Sequence, residues 1–180
     1  ADRPDAVTVP GGACALLRAL HDRTDGATVI VSGRRMADLE RFLPDFPGTL
    51  IGSHGAERRE GGAHWQHPAK DSRELDCIRK MVRVWADSEP DVILEEKPCS
   101  VVLHFRQAPD RMAEADGFLR SVVEHNKGFM LHHATMALEV HPDDVSKRGA
   151  IDPLMDRWSK RTDCKCASGG PSPWTMSISR

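Results

Sequence analysis

A short run of β-branched residues that ends in a polar turn constrains this chain more than any other feature. Residues 27–31 (Ala-Thr-Val-Ile-Val) are typical of a buried strand, and Ser32, Gly33 and two arginines follow directly. In open α/β sheets, ligands bind beyond the carboxyl ends of the strands. A hydroxyl, backbone amides and a guanidinium at that position are suited to holding a phosphoryl group.

A second apolar run predicts that the sheet is parallel. Residues 36–43 place their apolar side chains on one helical face and end before Pro44, and residues 49–51 (Thr-Leu-Ile) then predict a strand. Strand, helix and strand with short connections form a βαβ unit, whose two strands are parallel neighbours. Ser32 and His54 are therefore predicted to emerge at the same edge of the sheet.

The pattern changes after Glu57. The elements predicted beyond it are a hairpin at 58–68, helices at 72–87 and 111–125, two strands within 92–105 and a hairpin at 129–140. Helices placed among antiparallel hairpins are typical of an α+β unit. We therefore predict an α/β fold with a Rossmann-like parallel-sheet core, residues 1–57 and 141–163. An α+β domain at 58–140 is inserted into this core, and an unpatterned tail occupies 164–180.

Composition limits the class of partner. The formal net charge is −2, so the chain lacks the excess positive charge with which proteins bind nucleic acid or anionic membranes. A ferredoxin-like nucleic-acid module at 58–140 would also need a basic stripe or an aromatic pair that is absent. No apolar run approaches the ~20 residues of a membrane span. Five scattered cysteines form neither a disulfide framework nor a zinc pattern. We expect a cytoplasmic monomer that binds neither nucleic acid nor membrane.

Four segments together resemble one family. They are 29–34 (Val-Ile-Val-Ser-Gly-Arg), 51–59 (Ile-Gly-Ser-His-Gly-Ala-Glu-Arg-Arg), 94–97 (Leu-Glu-Glu-Lys) with 103–109 (Leu-His-Phe-Arg-Gln-Ala-Pro), and 139–142 (Glu-Val-His-Pro) leading to Ser146-Lys147. In this order they are similar to the trehalose-6-phosphate phosphatases of the haloacid-dehalogenase-like superfamily. The similarity covers residues 4 to about 155. The Gly-x-His-Gly-Ala-Glu and Glu-x-Lys…Leu-His-aromatic-Arg blocks are specific to this branch.

The resemblance implies both a fold and a reaction. A Rossmann-like core would carry the phosphotransfer chemistry, and the inserted α+β domain would be a cap that binds the sugar. An Asp would attack the phosphorus of trehalose 6-phosphate to form an aspartyl-phosphate, while a second Asp two residues later protonates the departing sugar oxygen. Water would then cleave the acyl phosphate. Mg²⁺ and a lysine would offset the charge on the transferring group.

The resemblance also assigns residues near the phosphate. Ser32 would donate a hydrogen bond to the phosphoryl oxygens, and Lys147 would pair with the phosphate and the nucleophile. Arg34 and His54 would line the mouth of the site. Each has an ordinary alternative, because Ser32 could cap a helix, Lys147 could be a solvated surface lysine and His54 could serve only its turn.

A second group would bind the sugar. Glu95, Lys97 and Glu139 match the cap residues that hold the sugar hydroxyls, and Arg106 lies in the same block, with bracing of the cap as its alternative role. A carboxylate accepts hydrogen bonds from vicinal hydroxyls and an ammonium donates to ring substituents. Such a set rejects phosphates that lack the matching hydroxyls. The alternative is a cross-strand ion pair on an exposed sheet face.

Two motifs of the family do not occur in the printed sequence. Asp-x-Asp-Gly-Thr, which carries the nucleophile and the acid, would lie before Ala1. Gly-Asp-Asp-x-Thr-Asp-Glu, which supplies a magnesium ligand, would follow residues 157–162. We therefore expect these 180 residues to lack the magnesium ligands and to be inactive as given. A non-catalytic pseudo-phosphatase that binds a sugar phosphate is the alternative.

The segment around Lys147 departs from the family pattern, because Arg148 stands between the lysine and Gly149. Asp152 and Pro153 are a favourable N-cap and first helical residue. A helix that began near residue 146 would place Pro153 in its interior, at a cost of about 3 kcal/mol. The sequence therefore predicts that the last helix begins at Asp152 and that Lys147 lies in a loop.

Overall fold

Two four-stranded sheets organise the described part of the chain. The structure, a computed structural model, describes residues 9–166, and for residues 161–166 the backbone alone. The first half contains helix α1 (Ala13–Arg23), strand β1 (Val29–Val31), helix α2 (Met36–Phe42) and strands β2 (Thr49–Gly52), β3 (Glu57–Glu60) and β4 (Ala63–Gln66). These strands form the first sheet in the order β1-β2-β3-β4.

The predicted βαβ unit is confirmed. Strand β1 pairs with β2 in parallel, with Ile30 opposite Leu50, and α2 connects them. The predicted burial of β1 is wrong, since its three residues are partly exposed. Among the described residues β1 is an edge strand, hydrogen-bonded only to β2, whereas Leu50 and Ile51 of the interior strand β2 are fully buried.

The β3–β4 hairpin belongs to the first sheet. Sequence analysis placed residues 58–68 in the insertion, but β3 pairs antiparallel with β2, with Arg58 opposite Ile51. The reason is the turn between them, in which Ser53, His54 and Gly55 all have positive φ and return the chain alongside β2. The remaining division of the chain into a core and an inserted domain stays a prediction.

The second half forms an α+β unit, as its pattern of elements predicted. Its elements are helices α3 (Arg73–Asp87) and α4 (Met112–His125) and strands β5 (Ile93–Glu96), β6 (Val101–His104), β7 (Phe129–Ala134) and β8 (Ala137–Pro142). The strands are antiparallel in the order β5-β6-β8-β7. Leu103 and Leu138 contribute to a core with apolar residues of both helices, such as Ile78 and Leu119.

The other face of the second sheet is polar. Side chains alternate between the two faces along a strand, and directly paired residues share a face. Glu95 pairs with Val102, Val102 with Glu139, and Glu139 with His132, so these four residues form one row across the sheet. This row lies on the face opposite the helices and supplies Glu95 and Glu139 to the candidate site.

The last helix begins earlier than predicted. Helix α5 spans Lys147–Cys166 and contains Pro153 in its interior, so the predicted start at Asp152 is wrong and Lys147 is its first residue. The Ser146 hydroxyl accepts a hydrogen bond from the Gly149 N–H at 3.0 Å, and Leu154 is fully buried. This hydrogen bond and the burial of the helix offset the unfavourable proline.

No helix within residues 9–166 is both long enough and apolar enough to span a membrane.

Candidate functional site

Two turns meet at the carboxyl ends of β1 and β2. The Ser32 N–H donates to the Ile51 carbonyl at 2.9 Å, and the His54 N–H donates to the Ser32 carbonyl at 3.0 Å. Ser32 and His54 therefore lie at the same edge of the sheet, as predicted. A Cβ on Gly33 would overlap the His54 ring, so any side chain at this position would displace that ring from its place beside the Ser32 turn.

The buried carboxylate of Glu57 joins these turns, and sequence analysis did not single it out. Its Oε2 accepts hydrogen bonds from the Ser53 hydroxyl at 2.6 Å and from the Met36 N–H at 3.0 Å. Met36 is the first residue of α2, where the backbone N–H groups are unpaired and favour a negative charge. Glu57 thereby fixes the start of α2 against the turn that carries His54.

Ser32 is half-buried, and its hydroxyl oxygen accepts a hydrogen bond from the Arg34 N–H at 3.1 Å. The N-cap of α2 is Arg35, so capping of this helix by Ser32 does not occur. Because the hydroxyl acts as an acceptor in this bond, its proton can still be donated to a ligand. The Arg34 guanidinium lies 5.3 Å from the centre of the Phe42 ring, over α2.

A buried ion pair links the second sheet to these turns. The Lys97 Nζ lies 3.2 Å from the Glu139 Oε1, and both side chains are less than 10% exposed. Lys97 also donates to the Gly33 carbonyl at 3.4 Å, while His54 Nε2 lies 3.7 Å from the Glu139 Oε2. The Ser100 hydroxyl donates to the Glu139 Oε1 at 2.7 Å. The pair is therefore not the exposed cross-strand pair of the alternative interpretation.

These partners keep Glu139 ionised. Burial disfavours its charge, but the positive charge of Lys97, the Ser100 hydroxyl and the charge of His54 together outweigh burial, so the pKa of Glu139 is lowered. A carboxylate and an ammonium are thus held in one buried cluster beside the Ser32 turn. Such a cluster offers acceptors and donors of fixed direction to a polyhydroxylated ligand.

Glu95 lies in the same row of the second sheet. Its Oε2 is 2.9 Å from the His104 Nε2. The hydrogen bond from His104 lowers the pKa of Glu95, and the charges of Lys97 and Arg35 act in the same direction against burial. Glu95 therefore presents an ionised carboxylate on the polar face of the sheet.

Two of the predicted site residues lie apart from the buried cluster. Lys147 is exposed at the start of α5. Its positive charge lowers the pKa of His54, so Lys147 lies near the turn that carries His54. Arg106 is exposed in the loop that follows β6 and makes none of the contacts given above. The structure thus brings Glu95, Lys97 and Glu139 together and leaves Arg106 outside.

Two histidines that were not predicted flank Glu139. The ring of His132 lies 6.4 Å from that of His54 and 6.0 Å from that of His141. His133 pairs with Asp116 of α4, so His132 and His133 lie on opposite faces of β7. The alternation of side chains along β8 is the signal that could have placed His141 beside Glu139.

Among the side chains that the structure describes, residues 9–160, no group of three His, Cys, Asp or Glu is arranged to hold a metal ion. The two buried carboxylates at the turns already have partners, since Glu57 accepts from Ser53 and Met36 and Glu139 accepts from Lys97 and Ser100. The described residues therefore do not fit a Mg²⁺ site by themselves.

Comparison with known proteins gives the family. The model of the trehalose-phosphatase family matches residues 1–169. The chain belongs to the trehalose-phosphatase family. It is 31% identical over 154 residues to a trehalose-6-phosphate phosphatase of Escherichia coli (strain K12) and 28% identical over 152 residues to a probable trehalose-phosphate phosphatase of Sinorhizobium fredii. Each alignment covers 84% of this chain and 57% of the relative, so the chain spans little more than half the length of these curated relatives.

Solved structures of this family share the fold. A trehalose-6-phosphate phosphatase related protein superposes with a TM-score of 0.71 at 24% identity, over 87% of this chain and 68% of its own. The C-terminal domain of the trehalose-6-phosphate phosphatase of C. albicans gives 0.73 at 20% identity, over 84% and 55%. These likenesses confirm the predicted fold class, an α/β fold with a Rossmann-like core.

The partly buried side chain of His54 gives the stability of the fold a pH dependence. Burial lowers the pKa of His54, and the charges of Lys97, Lys147 and His141 lower it further, against the attraction of Glu139. The folded state then binds fewer protons than the unfolded state below about pH 6.5, so stability falls as the pH drops through this range. We expect His54→Asn, which tolerates the positive φ, to make the urea midpoint less dependent on pH between about pH 6.5 and 5. An unchanged slope would contradict this.

Proposed function

We propose that this chain is the sugar-binding and phosphate-binding part of a phosphatase that hydrolyses trehalose 6-phosphate. The observation that carries the proposal is the buried Lys97–Glu139 pair, which the second sheet holds against the Ser32 turn. A phosphoryl group at the edge of the first sheet and a sugar at the polar face of the second sheet would then be neighbours. Membership of the trehalose-phosphatase family supports the same substrate.

The proposed roles follow from the chemistry of each side chain. The Ser32 hydroxyl donates a hydrogen bond to a phosphoryl oxygen, and Lys147 contributes positive charge at the start of α5. Glu95 accepts hydrogen bonds from sugar hydroxyls through the carboxylate that His104 orients. Lys97 donates to the sugar, and Glu139 accepts from it. His54 and Arg34 line the mouth of the site, and Arg106 braces the cap.

The proposed reaction passes through an aspartyl-phosphate. Its nucleophile and acid belong to an Asp-x-Asp-Gly-Thr motif that the printed sequence does not contain, so residues 1–180 alone would bind trehalose 6-phosphate without hydrolysing it. Mg²⁺ belongs to the proposed family reaction, where it would neutralise charge on the phosphoryl group. Because the described residues do not fit a Mg²⁺ site, we derive no step through the metal.

The proposal includes the remaining predictions from the sequence. The second sheet with α3 and α4 would act as the cap, residues 141–163 would return to the core, and the protein would be a cytoplasmic monomer. The nearly complete burial of Lys97 and Glu139 between the two sheets supports a cap that closes over the sugar.

The test of this function is phosphate release by the longest translation product of the gene that contains this chain. We expect release from trehalose 6-phosphate at least 100-fold faster, as kcat/KM, than from glucose 6-phosphate, because a site that hydrogen-bonds hydroxyls discriminates strongly against substrates that lack them. Equal rates on the two substrates would contradict the proposed specificity. Tight binding without release in that longer protein would instead favour the pseudo-phosphatase.

A further inference from the structure

The turn of residues 97–100 connects the parts of the candidate site. The Lys97 N–H donates to the Ser100 carbonyl at 2.9 Å and closes the turn between β5 and β6. From this turn Lys97 reaches Gly33 and Glu139, while Cys99 is buried in a small apolar cluster with Ala56 and Val145. The direction of the Lys97 ammonium therefore depends on the position of this turn.

Arg79 of α3 holds the back of the turn. Its Nη2 donates to the Lys97 carbonyl at 2.9 Å and to the Pro98 carbonyl at 2.8 Å. Its side chain is only 20% exposed, and its one carboxylate contact in the described structure is Asp76 at 3.6 Å. The guanidinium thus bonds backbone oxygens of the turn more closely than it pairs with any described acid.

This arrangement leaves one donor of the Arg79 guanidinium without a partner among the described residues. Arg79 Nε is buried and has no hydrogen-bond partner among residues 9–166. A buried unpaired donor is unfavourable, and in native structures it calls for an explanation. The two bonds from Nη2 to successive carbonyls fix the orientation of the planar guanidinium and leave Nε without an acceptor, and a lysine ammonium on its flexible stem lacks this fixed orientation.

We propose that Arg79 is a positioning residue that sets the direction of Lys97, and through it the affinity of the site for the sugar. Arg79 lies behind the turn and does not touch the ligand. The effect on sugar binding rests on the proposed function, whereas the effect on Lys97 itself does not.

The same helix offers a matched control. Arg83 lies one turn after Arg79 on α3, and its Nη2 bonds the Glu96 carboxylate at 2.6 Å in place of a backbone carbonyl. Its side chain is 55% exposed. Arg83→Lys therefore makes the same chemical change on the same helix without touching the 97–100 turn.

The first measurement is the rate at which acetic anhydride acylates Lys97 in the folded chain, read by mass spectrometry. We expect Arg79→Lys and Arg79→Gln to raise the rate several-fold, because the ammonium leaves its buried pair more often, and Arg83→Lys to leave it unchanged. An unchanged rate in folded Arg79→Lys would overturn the proposal. An equal rise of the acylation rate in Arg83→Lys would also overturn the proposal. If Arg79→Gln does not fold, Arg79→Lys still provides the test, because it keeps the positive charge.

The second measurement is calorimetric binding of trehalose 6-phosphate and of inorganic phosphate. Arg79→Lys should weaken binding of trehalose 6-phosphate at least five-fold and leave binding of phosphate unchanged, since the proposed function assigns Lys97 to the sugar and not to the phosphate. A merely structural defect would weaken both and would overturn the positioning role. If the unmodified chain does not bind trehalose 6-phosphate, the proposed function fails, while the acylation rate still decides whether Arg79 positions Lys97.

Discussion

Replacing Lys97 with methionine is expected to lower the free energy of unfolding by about 3–5 kcal/mol at neutral pH. The substitution keeps the length of the side chain but leaves Glu139 as a buried carboxylate without its nearest cation, and breaking one half of a buried pair is strongly destabilising. The Ser100 hydroxyl remains as a partner, which does not compensate a full charge. Urea denaturation of the variant and the parent at pH 7 measures the difference.

The double variant Lys97→Met/Glu139→Gln tests the cause. When both charges are removed, no unpaired ion is left in the interior, and replacing a whole buried pair by neutral groups is often nearly neutral. We expect the double variant to recover most of the stability that Lys97→Met loses, so the coupling energy in the double-mutant cycle equals that recovery plus the loss of Glu139→Gln alone. Additive losses in the two single variants would show that the pair does not act as a unit.

The local elements of this fold could be predicted from the sequence because each carries its own pattern. The apolar run at 27–31 and the residues that follow it gave both the strand and the edge where Ser32 and His54 meet. The pairing of Lys97 with Glu139 could not be predicted from a local pattern, because it depends on how β5, β6 and β8 align across the second sheet. Only the resemblance to a family, and not the spacing of the residues, placed these two in one site.

The errors of prediction have physical causes of the same kind. At 152–153 the local preference for an N-cap and a proline was outweighed by the Ser146 cap and by the burial of Leu154. The hairpin at 58–68 was assigned to the insertion because its polar composition gives no sign of the turn at 53–55 that brings β3 back to β2. The burial of Leu154 and the pairing of β3 with β2 are tertiary contacts, which single-sequence patterns do not encode, whereas the Ser146 cap is a local signal that the prediction gave less weight than the proline.

Glu95→Gln is expected to weaken the binding of trehalose 6-phosphate by about 10- to 100-fold. Hydrogen bonds to a charged acceptor contribute about 1.5–3 kcal/mol each, and the amide has neither the charge nor the second acceptor oxygen of the carboxylate. Because the hydrogen bond from His104 lowers the pKa of Glu95, this carboxylate is ionised at neutral pH, and the full loss of affinity is expected at that pH. Calorimetric titration with trehalose 6-phosphate measures it.

The next residue along the strand supplies the control. Glu96 points to the other face of β5 and pairs with Arg83 of α3, so Glu96→Gln changes the same functional group outside the proposed site. We expect Glu96→Gln to bind trehalose 6-phosphate as the parent does, and both variants to bind inorganic phosphate equally. Loss of phosphate binding in Glu95→Gln would assign this carboxylate to the phosphate subsite. Equal losses of affinity for trehalose 6-phosphate in the two variants would remove Glu95 from the sugar site, because only the face of the second sheet that carries Glu95 meets the Ser32 turn.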